Sequence, residues 1–352
     1  MGLRLLRIAS LRCLESVELT LHPERNYIFG PNGAGKTSIL EAAYLLGRGR
    51  SFRTRQIRKL VKTGTEGFAV YGEVAGAWGR HRLGVGFGNG RLEKKLDGGP
   101  AAMTELAAVL PVHAIEPGLH HLIEGAPSER RRFLDWGVFH VEPRYLESWR
   151  QYRRVLGQRN SALKAASPAE LLGWTKALAA AGQTIHELRT DYVANLARAV
   201  EDTGQDLVGE RVSIEYRAGW SADQPLEVAL RDTEATDRAH GATQLGPHRA
   251  DLRISLDARG VRDEASRGQQ KLVATALVLG QIRVHHAANG TQAVVLVDDP
   301  AAELDSASLE RVLAALDELP AQLIMTGLSP AHLRPTPGFP VFHVERGKLQ
   351  TL

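Results

Sequence analysis

Cysteine is almost missing from the 352 residues: Cys13 stands alone, so no disulfide within the chain and no cysteine-rich zinc site can form. Long hydrophobic runs are missing too; none approaches the roughly 18 apolar residues of a membrane-spanning helix. Arg4, Arg7 and Arg12 interrupt the start of the chain, which therefore does not read as a secretory signal. A cytoplasmic protein with no membrane partner is the expectation. Charge of one sign is also lacking, since the net is only +4, and bulk charge alone assigns no polyanionic partner. Lysine is scarce: 9 of the 44 basic residues are Lys and 35 are Arg. A GC-rich coding sequence would account for that ratio, so the information lies in where the arginines cluster. What is present is 43% hydrophobic and 24% charged residues. At about 150 residues per domain the length suggests about two domains with a sizeable core.

Residues 3–8 and 17–21 read as strands, and 26–29 as a third that runs into a glycine loop. Helical spacing follows over 36–47, with Gly47 as its stop. The Gly-rich stretch 64–99 suggests antiparallel hairpins, and 101–110 a short helix. From 128 to 205 the chain is rich in Ala, Leu, Arg and Glu and reads as several helices, broken at Pro143 and at Ser167–Pro168. No heptad pattern is sustained, which argues against a long coiled coil. Strands are expected at 211–217, 251–256, 293–297 and 322–326, with helices at 269–287 and 306–318. Lobe I would combine 1–110 with 270–352. Lobe II, 111–269, would be mainly helical and carry some strand.

Residues 30–37 read Gly30-Pro31-Asn32-Gly33-Ala34-Gly35-Lys36-Thr37 and fit the pattern G-x-x-x-x-G-K-[ST]. The glycines let the backbone turn so that its N–H groups converge on phosphate oxygens. The following helix aims the positive end of its dipole at the same anion. Lys36 would reach the β- and γ-phosphates, and Thr37 would supply a hydroxyl to Mg²⁺. A strand before the loop and a helix after it are the required context, and both are expected. The chain should bind a nucleoside triphosphate, ATP.

Far downstream, 293–299 is an apolar run ending in two acids, Asp298 and Asp299. Such a run reads as a buried parallel strand that delivers carboxylates to the phosphate site. Asp298 would hold Mg²⁺, directly or through water, and Asp299 would orient or deprotonate the attacking water. Lys36 and Asp298 are 262 residues apart, so a large insertion divides the nucleotide core.

Ser266-Arg267-Gly268-Gln269 opens the expected helix at 269–287. Ser266 suits a helix N-cap, and Gly268 permits close approach of backbone to a ligand. The segment resembles the signature of the ABC-type ATPases, written LSGGQ, and Ala302-Glu303-Leu304-Asp305 resembles their D-loop. Further blocks narrow the likeness: Gly30–Thr37 into Ser38-Ile39-Leu40-Glu41, then Gly49-Arg50-Ser51-Phe52-Arg53-Thr54. Arg131-Arg132-Phe133-Leu134-Asp135-Trp136-Gly137, Gly246-Pro247-His248-Arg249 and Asp298–Asp305 continue it. Across nearly its full length the sequence resembles the RecF family of SMC-like ATPases.

That resemblance implies an α/β fold, an ABC/SMC-type ATPase head with a mainly helical second lobe. It implies a homodimer in which Ser266, Gly268 and Gln269 of one copy contact the γ-phosphate held by the other. It further implies binding of gapped or duplex DNA and cooperation with RecR and RecO to load RecA. Three positions depart from the wider ABC pattern. Asp299 replaces the usual catalytic Glu, a shorter reach that suggests weak, slow hydrolysis. No Gln lies between Gln56 and Gln151, so His113 is the nearest substitute for the Q-loop residue. The switch His is missing as well, with Thr326 in its place.

Residues 48–62 carry seven basic residues and no acid. Such a run would neutralise several DNA phosphates without regard to sequence. Arg48, Arg50 and Arg53 are expected near the nucleotide site or dimer interface, and Arg55, Arg58 and Lys59 to face outward towards DNA. Arg130-Arg131-Arg132 reads as a solvated helix face. Arg150, Arg153 and Arg154 lie a helical turn apart and are a weaker site for DNA. No exposed aromatics are interleaved, which favours duplex or junction backbone over single-strand readout. A non-hydrolysing, ATP-gated DNA scaffold stays open as an alternative. So do a transporter-type ATPase subunit, which would need a full LSGGQ and a Q-loop Gln, and a small-molecule phosphotransferase.

Overall fold

Ala293–Asp298, the apolar run ending in acid, is buried at all six positions of a strand. The computed structural model that shows this describes residues 2–76, 79–165 and 167–351. The strand lies in a six-stranded sheet ordered Lys348–Thr351, Val341–Glu345, Arg25–Phe29, Ala321–Gly327, Ala293–Asp298, Val112–Ile115. The last five run parallel, and only Lys348–Thr351 is antiparallel to its neighbour. A second sheet is wholly antiparallel, in the order Leu14–Thr20, Gly2–Leu11, Phe68–Gly76, Gly79–Gly88, Arg91–Leu96, Gly99–Pro100. The hairpins expected over 64–99 are therefore present, although residues 77 and 78 lie outside the described residues.

The helix Lys36–Arg48 packs against strands of both sheets, and everything from Ser38 to Gly47 is buried. An apolar helix covered on both sides needs no polar face, which is why its sequence is hydrophobic nearly all round. Gly47 does not end this helix as expected; Gly49, with φ 64°, caps it. Gly47 is glycine for another reason, because a Cβ there would stand 2.5 Å from the Leu110 carbonyl oxygen. Each Leu or Ile buried in this three-layer core contributes about 1.5–3 kcal/mol.

By its contacts the chain divides into two units. Met1–Leu119, Asp206–Val208 and Lys271–Leu352 form the one that holds both sheets. Val112–Ile115, with His113 beside Val295, belongs to this unit although it lies past the 110/111 division expected from sequence. The other unit comprises His120–Gln205 and Gly209–Gln270. It is built on the helices Pro127–Val141 and Tyr145–Ala165 and most of Pro168–Val208. A three-stranded sheet of Arg259–Gly260, Asp251–Leu256 and Val212–Arg217 completes it. Pro143 falls in the break between the first two helices. Ser167 caps the third, its hydroxyl accepting from the Glu170 amide at 3.3 Å, with Pro168 in the first turn.

Arginines organise this second unit from inside. Arg159 and Asp237 form an ion pair with both side chains fully buried, and Arg159 also donates to the Thr175 and Thr243 hydroxyls and the Leu230 carbonyl. Arg189 donates to Asp135 at 2.6 Å and to the Pro247 carbonyl at 2.7 Å. Arg130, expected on a solvated face, is buried. It grips both oxygens of Asp251 at 2.7 and 3.0 Å and also donates to the Ile123 and Gly125 carbonyls. Of that triplet only Arg132 is exposed, paired with Glu129 at 2.6 Å.

Candidate functional site

The strand Arg25–Phe29 ends in the loop Gly30–Gly35, which enters the helix at Lys36. Pro31, Asn32 and Gly33 form an exposed crest, whereas Ala34, Gly35 and Lys36 are buried. Gly35 has φ 118°, and a Cβ on it would stand 2.6 Å from Leu14 Cδ2 and 3.2 Å from Cys13 Sγ. Both backbone angle and space therefore demand glycine. No acidic residue occupies the first turn of the helix, so nothing there cancels its positive end. Lys36 Nζ donates to the Gly30 and Pro31 carbonyls at 2.7 and 3.1 Å. Burial lowers the Lys36 pKa, while Asp299 and Asp298 act in the opposite sense.

Thr37 joins the loop to the acidic strand: its hydroxyl donates to Asp298 Oδ1 at 2.9 Å. A second hydroxyl, that of Thr326, donates to the same oxygen at 2.8 Å. Thr326 and Asp298 are partners in parallel register on neighbouring strands, which is what brings them together. Burial holds the Asp298 carboxyl above its ordinary range. The two threonine hydroxyls and Arg53 oppose that rise, and Asp299 adds to it. Asp299 is in the left-handed region at φ 43°. Its amide donates to the Thr326 carbonyl and hydroxyl at 3.2 and 3.1 Å. Its Oδ1 is buried and has no hydrogen-bond partner among the described residues. A buried carboxylate oxygen without a partner carries a desolvation penalty that a donor or a cation would relieve.

Lys36, Thr37, Asp298 and Asp299 thus gather at one end of the parallel strands, where open α/β sheets bind ligands. The donor set is all oxygen and suits a hard cation such as Mg²⁺: Thr37 Oγ1, Asp298 Oδ1 and the partnerless Asp299 oxygen. Thr326, read from sequence as a stand-in for the switch His, here positions Asp298. Its signal was a hydroxyl at the end of a buried apolar strand.

Ser266 and Gly268 are exposed at the start of the helix Arg267–Asn289. The Ser266 hydroxyl accepts from the Gln269 amide at 3.3 Å, and Gln269 Oε1 accepts from the Ser266 amide at 3.0 Å. This is a reciprocal capping box. Gln269 also donates to Glu210 at 3.1 Å, and so its side chain is half-buried and engaged. Further along the same helix, Lys271 is ion-paired with Glu303 of the D-loop-like segment.

In the basic run, Arg55, Arg58 and Lys59 are exposed, the last two on a short 3₁₀ turn, Ile57–Leu60. Sequence reasoning missed what anchors them. Arg12 grips both oxygens of the fully buried Glu41 at 2.9 Å and donates to the Lys59 carbonyl at 3.0 Å. Ser51 donates to Glu41 and accepts from the Arg53 and Thr54 amides. Arg48 stacks on the Tyr44 ring at 5.5 Å.

Comparison with known proteins adds an independent line. The family profile of the RecF/RecN/SMC N terminal domain matches residues 2–339. The DNA replication and repair protein RecF of Pseudomonas putida (strain W619) is 38% identical over 360 residues, covering 99% of this chain and 98% of the relative. Among solved structures, that of the recombination mediator protein RecF-ATP in the RecFOR pathway has a TM-score of 0.88. It is 26% identical and covers 100% of this chain and 97% of that one. The Smc head bound to the C-winged helix domain of ScpA, 16% identical with TM-score 0.64, covers 100% of this chain and 97% of that one and shares the fold. With an SMC/ABC-ATPase head fold and family likeness over its whole length, the chain belongs to the RecF family of DNA replication and repair proteins.

Proposed function

We propose that this chain is an ATP-dependent DNA-binding protein of recombinational repair, acting in the cytoplasm as a homodimer closed by ATP and reopened by weak hydrolysis. The observation that carries the reading is the meeting of Thr37 and Asp298 beside Lys36 and the partnerless Asp299 oxygen. In this reading the backbone N–H groups of Gly30, Asn32, Gly33, Ala34, Gly35, Lys36 and Thr37 cradle the phosphates. Pro31 fixes the turn. Lys36 leaves the Gly30 and Pro31 carbonyls and pairs with the β- and γ-phosphates. Mg²⁺, held by Thr37 and Asp298, would neutralise phosphate charge when bound. Asp299 accepts a proton from, or orients, the water that attacks the γ-phosphorus.

Ser266, Gly268 and Gln269 of a second copy would close over the γ-phosphate, and the exposure of the first two supports that role. The γ-phosphate is the one group that both copies would touch, so ADP has no differential hold on the closed state. RecF-ATP, one of the solved relatives, supports the choice of nucleotide. The DNA replication and repair relatives support DNA as partner, with Arg55, Arg58 and Lys59 on its backbone. By family, RecR and RecO would join in loading RecA at gaps.

Light scattering after size exclusion tests the switch: a dimer is expected in ATP and a monomer in ADP. An unchanged monomer in ATP would remove the mechanism. DNA-stimulated phosphate release by wild type and Lys36→Met separates switch from scaffold, because equal rates would leave an ATP-gated scaffold without hydrolysis. The Asp at position 299, with its shorter reach, is what keeps that second reading in view.

A further inference from the structure

Three metal-ligating side chains converge at His120, His121 and Glu124, away from the residues of the nucleotide site. The chain there passes from a 3₁₀ turn, Pro117–His120, into a short α-helix, His121–Glu124. His120 and Glu124 are four residues apart and so share a face, with His120 Nε2 and Glu124 Oε2 4.0 Å apart. By sequence position alone His121 would point about 100° away from His120 round a regular helix. Its ring instead lies beside that of His120, the centroids 4.3 Å apart. One ligand atom from each of the three residues lies within 4.8 Å of the others. Among the described residues this is the one such group of His, Cys, Asp and Glu.

The backbone beneath these side chains is held by buried contacts of the same unit. Arg130, fixed on both oxygens of Asp251, donates to the Ile123 and Gly125 carbonyls at 3.0 and 2.9 Å. The Gly125 amide closes the turn by donating to the His121 carbonyl at 2.9 Å. Leu122 and Ile123 are buried, whereas His121 is exposed and His120 and Glu124 are half-buried. The three ligand-bearing positions are therefore set in advance, which lowers the ordering cost of binding, while their side-chain ends stay open to an ion from solvent.

Tetrahedral zinc holds imidazole nitrogen and carboxylate oxygen at about 2.0–2.2 Å, which separates the ligand atoms by about 3.3 Å. Rotation about side-chain bonds closes the observed spacing to that value and leaves the backbone where it is. Two imidazoles and a carboxylate suit Zn²⁺, and they match Mg²⁺ and Ca²⁺ poorly because those ions take oxygen ligands. Three protein ligands leave the fourth corner of the tetrahedron to water. We propose that His120, His121 and Glu124 form a Zn²⁺ site, separate from the nucleotide pocket and independent of the ATP and DNA readings above. The bound ion joins the 3₁₀ turn to the helix at the point where the chain enters the second unit.

The test is equilibrium binding of Zn²⁺ to untagged full-length protein that has been stripped with a chelator and dialysed. Mg²⁺ is kept in large excess, so that the all-oxygen set of Thr37, Asp298 and Asp299 does not compete for zinc. Competition with a chromogenic zinc chelator reads the affinity, and elemental analysis reads the stoichiometry. Wild type should take up one Zn²⁺ per chain. His121→Ala and Glu124→Gln should each bind it at least about tenfold more weakly, since losing a ligand costs no less than losing the partner that orients one. His121 is exposed, so His121→Ala keeps the fold and decides the matter alone should Glu124→Gln unfold. A wild type that takes up no zinc in excess Mg²⁺ overturns the proposal. Folded variants that bind zinc as tightly as wild type also overturn it, because the ion would then sit on other side chains.

Discussion

Thr326 donates to Asp298 at 2.8 Å and accepts from the Asp299 amide at 3.1 Å, so one hydroxyl orients both acids of the strand end. Its replacement should act through them, since Thr326 itself need not touch nucleotide. Thr326→Val keeps the shape and removes the hydroxyl. Phosphate release or Mg²⁺-dependent nucleotide affinity should fall about 10–100-fold, the range for partners that orient metal ligands. Stability should fall by about 1–3 kcal/mol from the unmade hydrogen bonds. Thr326→Ser should restore most of the activity, and a Val variant as active as wild type would take Thr326 out of the site. His248 gives a pH prediction at the same scale. Its folded-state pKa is pushed from 6.5 down to about 4, so the unfolded chain binds the proton first on acidification. The stability it contributes is fully present above pH 6.5 and is lost as pH falls through about 4. Urea midpoints of wild type and His248→Gln should therefore differ most above that window and converge across it. A difference that is constant with pH would contradict a neutral, buried ring.

The ion pair of Arg12 with Glu41 ties three elements together: the end of strand Gly2–Leu11, the helix Lys36–Arg48 and the basic loop that follows it. Glu41 is fully buried, and Arg12 keeps about a fifth of its side chain exposed. Glu41→Ala should cost about 3 kcal/mol by leaving a partly buried guanidinium and Ser51 without their acceptor. Chemical denaturation measures that, and DNA titrations should show a shallower salt dependence as the loop loses its anchor. An equally steep dependence would mean that Arg55, Arg58 and Lys59 need no fixed loop. No sequence signal marked this pair, because Arg12 and Glu41 are far apart in sequence and each alone reads as a surface charge. The elements themselves were easier to read. Ala293–Asp298 announces itself as a buried strand, and Pro143 and Ser167–Pro168 mark helix ends because ring geometry and capping act locally. Val112–Ile115 and the hairpin Val341–Thr351 escaped notice; one is short, the other lies after a proline-rich stretch, and both are fixed by pairing with distant strands. The site follows the same division. Its loop and its acids are local patterns and were legible, whereas Thr326 became a partner of Asp298 only through parallel register.

At the scale of the whole molecule, the proposed active site is split between copies, and that makes a prediction no single-chain site would make. In a two-fold dimer each site takes the loop Gly30–Thr37 from one copy and Ser266 with Gly268 from the other. Lys36→Met disables the first half and Ser266→Arg the second, so either variant alone should release no phosphate. Mixed in equal amounts with ATP, half of the dimers should be hybrids. Each hybrid has one site carrying both lesions and one site carrying neither. If the two sites fire independently, the mixture should recover about a quarter of wild-type phosphate release. If hydrolysis needs both sites, the mixture stays inactive, yet the one intact site per hybrid should still close a dimer in ATP, and light scattering would register dimers that neither variant forms alone. A Ser266→Arg variant that on its own releases phosphate at the wild-type rate would place Ser266 in the capping box alone, where it already holds the Gln269 amide at 3.3 Å. The nucleotide would then be contained within one copy.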